Sequence, residues 1–206
     1  MSRRASSGIS LGPVLVMLMV VFMVVIWNRT NAPEGTDRFE GDFSVLAAVR
    51  LAENRGNDGD SFKVQHGNEI ETYRLYFVDT CEKSDRFRSR IQHQARYFGG
   101  LKESQVLQLG ERARDQTLEW LRNEAFEVYT RGERVMDSER HHAMIHFPNA
   151  EQGHRWLSER LVREGLARIY TRGTDLADGT SRREFEGHLR DLEAKAKQAG
   201  RGAWGL

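Results

Sequence analysis

The sequence predicts an α+β chain: a small β-barrel of five strands with helices, preceded by an N-terminal transmembrane helix. Three observations predict it. The chain opens on a long apolar stretch without acidic residues, three short strand-like segments follow, and helical periodicity then alternates with two more strands. A length of 206 residues suits one domain with an appendage.

Residues 1–27 form the appendage. Arg3 and Arg4 precede an apolar run that is unbroken from Val14 to Trp27, and from Ile9 onward only Ser10, Gly12 and Pro13 interrupt it. Those 19 residues span roughly 28 Å as a helix, against a bilayer core of about 30 Å. The two arginines are expected to stay cytoplasmic and to send the C-terminal part outward. The alternative is a cleaved signal peptide, although Thr30-Asn31-Ala32 is a poor small-x-small cleavage site. Anchored or secreted, the domain reaches an oxidising, calcium-accessible, extracytoplasmic compartment.

Residues 28–42 are polar, with Pro33, Gly35 and Gly41, and read as a linker. The domain then runs over 43–206. "FSVLAAVRL" at 43–51 is a buried-strand candidate, and "NRGNDGD" turns the chain. In "SFKVQ", Phe62 and Val64 alternate with Lys63 and Gln65, as in a half-buried strand. "HGNE" turns again, and "TYRLYFV" is aromatic and branched throughout. It sets Tyr73, Leu75 and Phe77 on one face, with Arg74, Tyr76 and Val78 on the other. "SDRFRSRIQHQARYFGG" holds a helix stopped by Gly99 and Gly100. "GERARDQTLEWLRNE" places Ala113, Leu118 and Leu121 near one helix face. "AFEVYTRG" and "RHHAMIHF" are strands, the second with Ala143, Ile145 and Phe147 in phase. "QGHRWLSERLVREGLA" reads as an amphipathic helix ending at Gly165, and a charged helix follows Thr180. Short strands with a helix inserted after the third match a barrel of the OB type.

Composition excludes some chemistry. One cysteine, Cys81, rules out an internal disulfide framework and any cysteine-rich zinc site. Setting aside Arg3 and Arg4, 29 of the 31 basic residues face 30 acidic ones, so no broad basic surface awaits a nucleic acid. Polyanion binding has to come from local arrangement or from a metal ion.

Two acidic turns carry the candidate chemistry: Asp58 and Asp60 in "NDGDS", Asp79 and Glu82 in "VDTCE". Each alone is ordinary turn composition. If "HGNE" closes a hairpin, however, both turns abut paired strands about 5 Å apart. Hard cations take such oxygen clusters. The spacing of Asp58, Asp60 and Glu69 imitates an EF-hand loop, but Lys63 stands where that loop needs glycine. Arg74 lies mid-strand among aromatics, where a charge has to be paired or exposed. Arg140 opens a strand, and an arginine fork can grip a phosphate with two hydrogen bonds. His141, His142 and His146 lack the spacing of a metal motif.

Taken in order, "NDGDSFKV", "YRLYFVDTCE", "RHHAMIHF", "LVREGLARIY" and "EAKAKQAGRGAW" resemble the landmarks of the staphylococcal nuclease (thermonuclease) family across most of 43–206. The resemblance implies an OB-type five-stranded barrel. It also implies calcium-dependent cleavage of DNA and RNA phosphodiesters that leaves 3′-phosphates. Residue by residue, it implies Asp60 and Asp79 as calcium ligands through their side chains and Thr80 through its carbonyl, with Asp58 and Glu82 near the ion through water. Glu82 is the implied general base, and Arg74 and Arg140 the groups that hold the phosphate and its transition state. Three departures stand out. Cys81 replaces the usual proline, the "RIQHQARYFGG" helix is an insertion, and "DSER" before Arg140 lacks the usual Tyr-Gly. The expected partners are nucleic acid as substrate and a membrane through the N-terminal helix. Two other functions compete with a nuclease: a non-catalytic OB module that holds single strands or a protein partner, and a thiol enzyme built on Cys81, which lacks an assignable base.

Overall fold

The structure, a computed structural model, describes residues 35–151 and 154–206, and these already begin in a sheet. Strand β1 (Arg38–Glu40) turns at Gly41, whose φ of +56° favours glycine, and pairs antiparallel with β2 (Phe43–Leu46). Part of the segment read as a linker is therefore a strand. Arg38 secures it, hydrogen-bonding Glu127 at 2.7 and 3.1 Å. The single strand expected over 43–51 is split. Ala48 takes a φ of +50°, and the chain resumes as β3 (Arg50–Leu51).

β3 pairs with β4 (Ser61–His66), and β4 with β5 (Glu69–Leu75), through a hairpin at Gly67. Phe62 and Val64 are buried while Lys63 and Gln65 are partly exposed, as the alternation predicts. The expected strand through Val78 is also interrupted. Phe77 has a φ of +69°, so β6 (Val78–Thr80) leaves the main sheet and pairs with β9 (Ala167–Ile169). This break corrects the expected two-faced strand. Tyr73, Leu75, Tyr76, Phe77 and Val78 are all buried, because the chain turns within the core.

The helix expected within 84–100 is α1 (Arg88–Tyr97), and Gly99 and Gly100 follow it at φ +87° and +95°. α2 (Glu103–Asn123) starts seven positions before the periodic stretch beginning at Gly110. Its Val106, Leu109, Ala113 and Leu121 face the core, at intervals of three, four and eight residues. Burial of each large side chain stabilises the fold by about 1.5–3 kcal/mol. β7 (Glu127–Arg134) and β8 (Arg140–His146) form the next hairpin. α3 (Leu157–Arg163) departs from the amphipathic helix expected there. It has seven residues, of which only Arg163 is not fully buried, and Arg160 is paired with Glu124 at 2.5 and 2.8 Å. α4 (Arg182–Gln198) starts at Ser181, whose hydroxyl accepts from the Glu184 amide.

The main sheet has the order β1-β2-β7-β8-β5-β4-β3, and β5–β8 is its one parallel pair. The architecture is α+β. The expected barrel of five strands is not drawn by the hydrogen bonds, which give seven strands in an order that does not close. The helix read from residues 1–27 lies outside the described residues. Among those described, no helix is long and apolar enough to cross a membrane.

Candidate active site

The β4–β5 hairpin sets Ser61 opposite Arg74, which carries Asp60 to the end of the pair. The Asp60 carbonyl accepts from the Leu75 amide at 2.9 Å. The kink at Phe77 then returns β6 past this turn, and Gly59 lets the two touch. A Cβ there would lie 2.9 Å from the Thr80 methyl. The two acidic turns meet, as the hairpin argument requires.

Asp60 and Asp79 are each 2% exposed, and every one of their carboxylate oxygens accepts from the protein. Asp60 Oδ1 receives Arg74, and Oδ2 receives the Thr80 amide at 2.6 Å and its hydroxyl at 3.0 Å. Asp79 Oδ1 receives Arg74 at 2.6 Å and Arg90 at 3.0 Å. Its Oδ2 receives Arg168 at 2.8 Å and Gln94 at 3.1 Å. Glu82 pairs with Arg90 at 2.9 Å. Asp58 sits at the same turn, where its carboxylate accepts from the Gly59 amide at 2.8 Å.

These contacts set the charges. Burial pushes the Asp79 carboxyl up, but Arg74, Arg168, Gln94 and Arg90 outweigh it and hold the group below the usual carboxylate range. Burial pushes Asp60 up; Arg74 opposes this, while Asp79 and Asp58 add to it. Burial also raises Glu82, against Arg90, with the charges of Asp58, Asp79 and Asp60 adding. Arg140 begins β8 opposite Thr72, two residues from Arg74 along the neighbouring strand. Its guanidinium is pulled down by burial first and then by Arg74, with Arg90 adding to the effect. Among the described residues it has no carboxylate partner; its Nε meets only the Ser138 hydroxyl at 3.3 Å.

Cys81 is 1% exposed, and burial pushes its thiol up to about 12. A thiol held protonated is a poor nucleophile. The histidines do not converge: His142 stacks on Tyr76 at 4.8 Å, His146 bonds Glu127 at 3.1 Å, and His141 lies by Glu71.

The calcium expectation can be tested on the donor set. Two carboxylates and the Thr80 carbonyl are the oxygens a hard cation takes. Arg74 now bridges Asp60 and Asp79 and acts as their shared cation. The residues fit the ion in kind, but Arg74 has to release both carboxylates for it to bind. Among the described residues no three His, Cys, Asp or Glu side chains are grouped as an open metal site.

Three site residues were not read from the sequence. Arg90 and Gln94 lie one turn apart on α1, and nothing in their local sequence marks them. Arg168 did carry a signal, being a lone charge within "GLARIY", the same signal that singles out Arg74. No protein-family model matches the chain, and no curated protein does.

Proposed function

We propose that the chain is a nuclease that hydrolyses phosphodiester bonds of DNA or RNA. The observation that carries this reading is Arg140. An arginine without a carboxylate partner, half-buried beside two other arginines, is stabilised by an anion. Glu82, a half-buried carboxylate with a raised affinity for protons, belongs to the same cluster. A phosphodiester placed against Arg140 and Arg74 presents its phosphorus to a water within reach of Glu82. That water attacks phosphorus, its proton passes to Glu82, and the bond to the leaving oxygen breaks as that oxygen takes a proton from solvent water. The two guanidiniums stabilise the charge that gathers on the equatorial oxygens, where one well-placed donor is worth about 3 kcal/mol. A raised affinity for protons makes Glu82 a better acceptor than an ordinary carboxylate. Calcium would be held by Asp60, Asp79 and the Thr80 carbonyl, and would offset substrate charge and polarise the phosphoryl oxygen.

The strand order supports an OB reading of the sheet. β2 and β3 are two halves of one bent segment, pairing with β7 on one side and β4 on the other. Counted as one strand, with β1 as an addition, they would bring the count to the five strands that an OB barrel has, with β5 and β8 parallel. The apolar N-terminal stretch supports an extracytoplasmic setting.

A second reading has one observation in its favour. Every oxygen of Asp60 and Asp79 is already occupied, as suits a module that binds strands without cutting them. Incubating the full chain with single- and double-stranded DNA and RNA, with calcium and with a chelator, separates the two. Calcium-dependent cleavage to 3′-phosphate ends is expected, with Glu82→Ser and Arg140→Ala each slower by orders of magnitude. Retention of single strands without cleavage would refute the nuclease and leave the binding module.

A further inference from the structure

Cys81 sits in the loop that presents Glu82, and nothing in its own backbone stiffens that loop. Among the described residues no hydrogen bond uses the Cys81 amide. The residues on either side are held instead by one side chain of the inserted helix. Gln94 is fully buried. Its Oε1 accepts from the Glu82 amide at 2.9 Å, and its Nε2 donates to the Thr80 carbonyl at 2.9 Å and to Asp79 Oδ2 at 3.1 Å. Those three bonds use the carboxamide's acceptor and both its donors, so the flipped amide would fit none of them. The helix that carries Gln94 is itself fixed. Ile91 and Phe98 are buried, Tyr97 donates to Glu193 on α4, and Phe98 packs edge-on against Trp204 at 5.0 Å. On the loop's other side α2 presses through Gly110, where a Cβ would lie 2.4 Å from the Glu82 carbonyl oxygen.

We propose that Gln94 is a positioning residue: its carboxamide clamps the backbone on both sides of Cys81 and so fixes the direction in which Glu82 points. The clamp gives the loop the rigidity that a proline at position 81 would give it by fixing φ. Its effect on the reaction rests on the nuclease reading, whereas its effect on the loop does not. Arg90, one turn earlier on the same helix, holds the Glu82 carboxylate while Gln94 holds its backbone.

The test compares the full chain with Gln94→Met, which keeps the volume and removes all three bonds. Two readouts are used. Hydrogen exchange of the Glu82 amide should accelerate at least tenfold in Gln94→Met, and equal rates would overturn the clamp. For cleavage, kcat should fall about 10- to 100-fold with KM within about twofold, as expected for a misaimed base. Adding Cys81→Pro to Gln94→Met should restore at least tenfold in kcat without slowing exchange of the Glu82 amide. A kcat equal to that of the parent, or a loss that Cys81→Pro leaves untouched, would overturn the positioning role. Should Gln94→Met fail to fold, Gln94→Glu keeps the acceptor for the Glu82 amide and loses both donors, and the same rescue is expected. A parent chain that cuts nothing would refute the nuclease alone, since the exchange rates still decide the clamp.

Discussion

At the scale of single residues, Asp79 is the most heavily paired group of the site. Its pair with Arg168 is buried at both ends, 3% and 2% exposed. Removing Arg168 leaves Asp79 Oδ2 with Gln94 alone, while Arg74 and Arg90 still balance the charge, so the lost charged hydrogen bond costs about 1–3 kcal/mol. Arg168→Met should lower stability by that amount in urea unfolding; a loss under 1 kcal/mol would show that water reaches Asp79. Arg74 has a different task, since it spans both acidic turns. Arg74→Gln should abolish cleavage, yet it should let calcium raise Tm by more than in the parent, because the two carboxylates then lack their shared cation. Equal calcium shifts in the two proteins would mean that Arg74 and the ion do not compete. Cys81, buried and protonated, should react with thiol reagents only as fast as the chain unfolds.

At the scale of elements, two contacts decide what the strands and helices can do. The first is Gly110, where α2 meets the loop of Cys81 and Glu82. Alanine is about 1 kcal/mol better than glycine within a helix. A Cβ set 2.4 Å from a backbone oxygen has to move the loop or the helix, at about 1–3 kcal/mol. Gly110→Ala should therefore destabilise despite the gain in propensity, and should slow cleavage by displacing Glu82. A stabilised, fully active variant would show that the contact gives way. The second is the tie of β1 to β7. Burial pushes the Glu127 carboxyl up, but hydrogen bonds from Arg38 and His146 outweigh it, so its folded pKa lies below its unfolded one. The stability from such a group is fully present above the unfolded pKa and is lost as pH falls through the folded one. Arg38→Met should cost about 1–2 kcal/mol near neutral pH, and the difference should shrink on acidification below the ordinary glutamate range. A difference independent of pH would mean that Arg38 acts through packing.

At the scale of the whole molecule, the site joins parts distant in sequence. Asp60 comes from the end of the β4 turn, Arg74 from β5, Asp79 and Glu82 from β6 and its loop, Arg140 from β8 and Arg168 from β9. Helix α1 lies against this junction, with Arg90 and Gln94 as its contacts. Such a helix makes the site less open than the acidic turns alone imply. It also leaves Arg140, at the start of β8, as the cationic group with an unpaired face.

Much of this was legible in the sequence, and the reasons differ by residue. Phe62 and Val64 announced a half-buried strand because side chains alternate with period two. Gly99 and Gly100 announced a helix end because positive φ suits residues without a Cβ. The two acidic turns could be brought together because a hairpin fixes its own register, and Arg74 could be singled out as a charge among aromatics. The short paired strands and the breaks were not legible. β1 is only three residues, Arg38 to Glu40, held by Arg38, and the kinks at Ala48 and Phe77 are imposed on residues without any preference for positive φ. The burial of α3 was equally hidden, because Arg160 looks solvent-bound until Glu124 is beside it.

The sequence by itself determined the α+β order, the one cysteine, and the set of carboxylates and arginines available for chemistry. Local periodicity and composition are enough for those. Only the tertiary structure decided that Arg74 bridges Asp60 and Asp79, that Arg168 and Gln94 complete the shell of Asp79, and that Arg140 has no carboxylate partner among the described residues. Each depends on which distant side chain fills a given lone pair. That choice is made by packing at Phe77, Gly59 and Gly110, where the backbones come close enough to leave no alternative.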